Sequence, residues 1–153
     1  MVTGVTMIGQ GQGYVTRGSY PELVQVLRQH GNDAAGEVFS RAAFSMAISN
    51  FDDHMRNHAA FWDGQTLELT PAYDLSPMAR SGDTAALGTP FTRVGEKNAQ
   101  FASLGAAAGE FGLTKAEATD RIERIRATIN DHWQAAADFA RLSEVDRRVL
   151  WGR

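Results

Sequence analysis

The chain has 153 residues, 43% of them apolar, a formal net charge of −3 and no cysteine. That length supports one good core and a single domain. The acidic balance argues against a broad nucleic-acid-binding surface, and the lack of cysteine excludes a disulfide framework or a thiolate metal site and fits a reducing, cytoplasmic setting. No apolar run approaches the ~20 residues of a membrane span, and residues 1–7 lack the basic start of a signal peptide.

Residues 2–8 alternate apolar and small side chains and read as a strand or the end of one. Gly9-Gln10-Gly11-Gln12-Gly13 invites a phosphate-loop reading, but no lysine follows and no helix start abuts the glycines, so a flexible connector is the better reading. Ser19-Tyr20-Pro21-Glu22 is a helix start, with Ser19 as cap, Glu22 at the capping-box position and proline tolerated in the first turn. Leu23, Val26 and Leu27 form one apolar face, and His30-Gly31 ends the helix, where the macrodipole favours His30. Asp33 is expected to cap a second helix, clothed by Ala35, Val38, Phe39, Ala42, Ala43, Met46 and Ile48. So broad an apolar surface is buried on more than one side, which makes a rigid support for a site.

Directly after that helix, Asp52, Asp53, His54 and Asn57 are packed together. Two strand-like runs follow, residues 59–62 and 66–69, joined by Asp63-Gly64, a hairpin signal because the tight turn needs positive φ. Asp74 comes next, in Tyr73-Asp74-Leu75-Ser76-Pro77. A hairpin turns the chain back on itself, so the loops before and after it emerge at one end and Asp52, Asn57 and Asp74 can converge. Two carboxylates and an amide carry the hard oxygen chemistry that Mg²⁺ prefers. A base, an asparagine five residues on and an acid beyond a short hairpin also stand in the order used by the protein-kinase fold, although the usual His-Arg-Asp and Asp-Phe-Gly wording is absent. His54 and His58 with Asp53 raise zinc, but that spacing needs a helix, and the chain here is expected to leave the loop into a strand. His54 is expected to order the loop by hydrogen bonding, and Arg56 reads either as a neighbour of phosphate or as a solvated cation.

Residues 78–96, rich in Gly, Ser, Thr and Ala, read as a loop over or beside the site, with Ser76, Ser81, Thr84 and Thr89 as hydroxyls on or near it. Residues 99–111 read as an alanine-rich helix ending at Gly112, and Thr114-Lys115-Ala116-Glu117 is a second capping box. Behind it Ala118, Ile122, Ile125, Ile129 and Trp133 form a helical stripe, with Asp120, Arg121, Glu123, Arg124 and Arg126 expected on a solvated face. Phe139, Leu142, Val145, Val149, Leu150 and Trp151 complete a terminal helical segment.

Phe51-Asp52-Asp53-His54-Met55-Arg56-Asn57, followed by Leu69-Thr70-Pro71-Ala72-Tyr73-Asp74-Leu75-Ser76-Pro77, resembles the C-terminal lobe of HipA-type serine/threonine kinases, the toxins of bacterial toxin–antitoxin pairs. Arg17-Gly18-Ser19-Tyr20 adds to a resemblance that covers nearly the whole chain. It implies a mainly α protein with a small β-hairpin, an α+β protein-kinase-like C-terminal lobe. The lobe runs as a strand and connector (1–18), helices (19–50), catalytic loop, hairpin and metal loop (51–77), a loop (78–98) and helices (99–153). The resemblance makes Asp52 the catalytic base, His54 a fixed part of the catalytic motif, Asn57 and Asp74 the Mg²⁺ ligands that bind Mg-ATP, and Asp53 a variable position.

The same resemblance implies γ-phosphoryl transfer from ATP to a protein serine or threonine, and a DNA-binding antitoxin of the HipB type as partner. A kinase also needs an upper lobe carrying a glycine-rich loop, a lysine and a hinge, and nothing of that size precedes residue 49. The chain alone is therefore expected to bind Mg-ATP poorly, and to self-associate or take an upper lobe from a second chain. Two alternatives come from other classes. One is a non-catalytic binding module. The other is a small Mg²⁺-dependent hydrolase on Asp52, Asp53 and Asp74, which leaves Asn57 and the hairpin spacing unexplained.

Overall fold

The structure, a computed structural model, describes residues 1–9, 18–79 and 85–151. The glycine connector beyond Gly9, together with Arg17, Ser81 and Thr84, lies outside the described residues. In chain order the elements are β1 (Val2–Thr3), α1 (Gly4–Met7), α2 (Tyr20–Gln29), α3 (Ala35–Ala47), a 3₁₀ turn (Met55–Asn57), β2 (Ala59–Trp62), β3 (Leu67–Leu69), α4 (Phe101–Ala106), α5 (Ala108–Phe111), α6 (Lys115–Phe139) and α7 (Glu144–Trp151). The fold is thus mostly helical with one antiparallel sheet of order β1-β2-β3, the expected α+β class.

Helix α3 is the axis. Val38, Phe39, Ala42, Ala43 and Met46 are all buried, and they meet Leu23 and Leu27 of α2, Phe111 of α5, and Ala118 and Ile122 of α6 in one core. Phe39 and Phe111 meet edge to face at 5.1 Å, a geometry that adds to their area burial. Its start differs from expectation. The cap position is Ala34, without a side-chain bond, while the Asp33 carboxylate turns to Arg28 at 2.9 Å. The other two predicted caps hold: Ser19 accepts from the Glu22 amide at 3.4 Å, and Thr114 and Glu117 exchange backbone-to-side-chain bonds of 2.8 and 3.2 Å.

Four further expectations are corrected. Residues 2–8 are strand only at Val2–Thr3 and then coil into α1, whose Gly4 amide donates to the His58 carbonyl at 2.7 Å. The hairpin register pairs Trp62 with Leu67, and the Asp63 amide points to the Thr66 carbonyl, so Gly64 and Gln65 are the central turn residues rather than Asp63 and Gly64. Gly64 supplies the positive φ (104°), and Asp63 instead stands at the mouth of the turn and accepts from the amides of Gln65 and Thr66. The alanine-rich helix is broken at Ala107 into α4 and α5, each short piece sending its own anchor, Leu104 and Phe111, into the core. Arg121 is not on a solvated face: its guanidinium lies over Gly36 of α3 and donates to Ser40 Oγ at 3.3 Å.

The segment expected as a loop from 78 to 96 divides in two. Met78 and Ala79 are exposed. Residues 85–99, by contrast, double back as a paired strap: Ala86 bridges Asn98, Leu87 N–H donates to Lys97 O, Phe91 N–H to Glu96 O, and Leu87 and Phe91 are buried in the core. Thr89 is buried within it, so it is no accessible phosphoacceptor.

Candidate active site

The loop between α3 and β2 is anchored by a carboxylate that the sequence reading left without a role. Asp53 is buried, and an ionised carboxylate survives burial only when its oxygens are paired. Three polar side chains converge on it. Tyr20 Oη, from the first turn of α2, donates to Oδ2; Ser45 Oγ of α3 donates to the same oxygen at 2.9 Å; His58 Nε2 lies 2.9 Å from Oδ1. The histidine contact is a close approach of ring nitrogen to carboxylate oxygen rather than a well-aligned hydrogen bond. Burial alone pushes the Asp53 pKa up, but His58, Tyr20 and Ser45 outweigh it, and the net position lies below the usual carboxylate value. Tyr20 moves the other way: its burial, then the Asp53 charge and the bond to it, hold the phenol well above its ordinary pKa, so it remains a donor. The Tyr20 and His58 rings meet edge to face at 5.5 Å.

Around this anchor the loop is drawn tight. Asn57 N–H donates to His54 O at 2.8 Å, closing the 3₁₀ turn, and Asn57 Nδ2 reaches Asp52 O at 3.4 Å. Met55 is buried beneath it. From the far side the strap presses on the loop. A Cβ on Gly88 would come 2.8 Å from Asp53 O and 2.9 Å from Phe51 O, so only glycine fits, and Tyr20 N–H donates to Pro90 O at 3.0 Å.

On this frame Asp52 is exposed and Asn57 is largely buried, with its Nδ2 turned to the loop. His54 differs from expectation: its Nδ1 is buried without a partner, and among the described residues its ring makes no hydrogen bond. The second loop begins where β3 ends. Thr70 N–H still pairs with Ala59 O, then Tyr73 Oη donates to Arg56 O at 2.5 Å across 17 residues of sequence. The loop carrying Asp74 therefore runs back beside the loop carrying Asn57. Arg41 of α3 secures its root, donating from Nη2 to Thr70 O while its Nε pairs with Glu37. Asp74 is exposed and has φ 57°, a left-handed backbone that Asp and Asn tolerate better than other side chains and that often marks functional loops.

The oxygens offered by Asp52, Asn57 and Asp74 suit a hard cation such as Mg²⁺. Zinc does not fit. His58 is committed to Asp53, and among the described residues no group of three or more His, Asp or Glu side chains is placed to hold a metal ion. That same geometry counts against a three-carboxylate hydrolase centre, because Asp53 points into the core.

The family described as the HipA-like C-terminal domain matches residues 1–133. The chain belongs to that family. A solved structure of HipA from Shewanella oneidensis MR-1, in a complex with HipB and its operator DNA, aligns with a TM-score of 0.68 at 21% identity, covering 93% of this chain and 35% of that one. At that identity the likeness is one of fold, and this HipA-like chain spans about a third of the length of the HipA chain it matches. No curated protein matches it. Among the described residues no helix is long and apolar enough to cross a membrane.

Proposed function

We propose that this HipA-like domain is the lower half of a protein-kinase active site that transfers the γ-phosphoryl group of ATP to a serine or threonine of a protein, within a toxin–antitoxin system of the cytoplasm. The observation that carries the reading is the tie from Tyr73 to Arg56, which runs the two short loops of the Asp52…Asn57 and Asp74 motifs side by side. Asp52, exposed at the loop surface, orients the acceptor hydroxyl and takes its proton. Asn57 through its amide oxygen and Asp74 through its carboxylate would hold Mg²⁺, which neutralises charge on the transferring phosphates when bound. The His54 backbone carbonyl, which accepts from Asn57 N–H, closes the turn between them. A HipB-type antitoxin is the partner proposed from the resemblance, because the matched HipA stands in a complex with HipB.

A specific feature favours a second chain or segment completing the site. Tyr73, Leu75 and Met78, on the stretch that carries Asp74, are all more than a third exposed, and apolar side chains grouped beside a half-built site mark a surface for a partner. The deciding experiment is calorimetric titration of the chain with Mg-ATP beside Asp74→Asn. Binding tighter than ~100 μM (about −5.5 kcal/mol) that disappears in the variant means the domain holds nucleotide unaided. Equal binding by both proteins sinks the assignment of Asp74. No binding by either directs the search to a chain that supplies the upper lobe.

A further inference from the structure

Two pairs of residues in the catalytic loop share one spacing and sit one position apart. Asp52 and Asn57 are separated by five residues, and Asn57 Nδ2 reaches the Asp52 carbonyl. Asp53 and His58, each the next residue along, are separated by the same five, and their side chains meet at 2.9 Å in the core. We propose that Asp53 and His58 form a buried clasp that fixes the distance and orientation of Asp52 and Asn57, so that the pair used for chemistry is set by the pair beneath it. The proposal rests on the kinase reading for the meaning of Asp52 and Asn57, and on geometry alone for the clasp.

Three observations separate the clasp from an ordinary core contact. A buried carboxylate set against an imidazole is a weak source of stability, since apolar residues of similar volume usually serve as well; its presence under this loop points to specificity of shape. The clasp is also held from outside itself: Tyr20 and Ser45 fix Oδ2 from α2 and α3, leaving Oδ1 for His58, so both helices set where the loop closes. And the loop is closed from its other side, with the Gly88 backbone against Asp53 O and the Gly4 amide on His58 O. Each member of the clasp is thus held through its backbone as well as its side chain. Asp53 and His58 are positioning residues; neither touches substrate.

The test compares His58→Phe, which keeps a ring but removes the nitrogen facing Asp53, with His58→Gln, which keeps a polar group there, and with the near-isosteric Asp53→Asn. Amide hydrogen exchange reads the loop, and Mn²⁺ broadening of the Asn57 and Asp74 amide resonances reads the metal site. His58→Phe is expected to speed exchange of the Asn57 amide at least ~10-fold, with α6 amides unchanged, and to weaken Mn²⁺ binding ~10–100-fold, as loss of an outer-shell support does. His58→Gln is expected to stay near wild type in both. A folded His58→Phe protein with wild-type exchange and Mn²⁺ affinity overturns the clasp, and so does a His58→Gln protein as impaired as His58→Phe. If His58→Phe does not fold, Asp53→Asn decides: a loosened Asn57 amide supports the clasp and an unchanged one refutes it. Wild-type protein that Mn²⁺ leaves unbroadened at both positions removes the metal assignment, and the exchange data then judge the clasp alone.

Discussion

The two loops that flank the hairpin are built in opposite ways. The first, before β2, buries Asp53, Met55, Asn57 and His58 and is held by side chains from α2 and α3. The second, after β3, exposes every residue from 71 to 79. Among the described residues its ties lie at Thr70 O, at Tyr73 Oη and at the Met78 amide, which donates to Ile48 O. One loop is therefore shaped by the fold before any ligand arrives. The other is fixed near its two ends and left open between them, where a bound ligand or partner would complete it. On the proposed reading, with the base on the rigid loop and the metal on the open one, the contrast suits phosphoryl transfer, in which positioning carries much of the rate.

If that contrast is right, the largest effect comes from the buried anchor. Asp53→Ala leaves Tyr20 Oη, Ser45 Oγ and the His58 ring without their shared acceptor, and breaking a buried charged network of this kind costs about 3–5 kcal/mol. Urea denaturation followed by circular dichroism should show it; a loss below ~1 kcal/mol would mean the network behaves like a surface pair. The same anchor sets an acid limit. Because the folded-state pKa of Asp53 is lowered, its stabilisation is present above the unfolded carboxylate pKa of ~3.9 and is lost as pH falls through the folded value. The urea midpoint should therefore fall below about pH 4, and Asp53→Asn should flatten that slope. Asp63, drawn down to about 2 by the Thr66 and Gln65 amides, falls in the same range, so Asp63→Asn is the control for its separate share.

Intermediate effects are expected where the fold grips the edges of each loop. Arg41→Met removes the charged donor to Thr70 O and should cost about 1.5–3 kcal/mol, while freeing the root of the second loop, visible as broadened or doubled amide resonances for residues 71–75. Gly88→Ala forces a Cβ against two carbonyl oxygens of the first loop and should cost about 1–3 kcal/mol, with amide shifts concentrated at residues 51–53. Shifts confined to the strap would show that the strap yields and the loop does not.

Sequence pattern alone carried the helices and the hairpin, because their signals are local: Ser19 with Glu22, Thr114 with Glu117, and a glycine between two apolar runs. It also put forward Asp52, Asn57 and Asp74 as site residues, through the spacing of their motifs and the family resemblance. What it missed is long-range. Asp53 looks like a redundant neighbour of Asp52 until Tyr20, 33 residues earlier, donates to it from α2. Its i,i+5 relation to His58 was the one signal available, and His58 was weighed only with His54, four residues earlier, as a zinc spacing. Arg121 was assigned to solvent because arginine usually is, and no local pattern shows that Gly36 leaves room for a guanidinium on α3. The strap was read as a free loop because its order comes from Leu87 and Phe91 reaching a core built by other segments.

The smallest effect on stability, and the sharpest test of the contrast, is expected at Asp74. Its carboxylate is exposed, so removing the charge takes away no buried partner. Its φ of 57° is the remaining constraint, and asparagine tolerates that backbone as aspartate does, whereas alanine tolerates it less well. Asp74→Asn should therefore change unfolding free energy by less than ~0.5 kcal/mol, and Asp74→Ala should cost up to ~1–2 kcal/mol more. Mn²⁺ broadening at Asn57 should weaken in both. A protein that keeps its stability and loses its metal at residue 74, beside one that loses its fold at residue 53, would separate the loop the fold needs from the loop the chemistry needs. Equal losses of stability at the two positions would show that the second loop is as much a part of the core as the first.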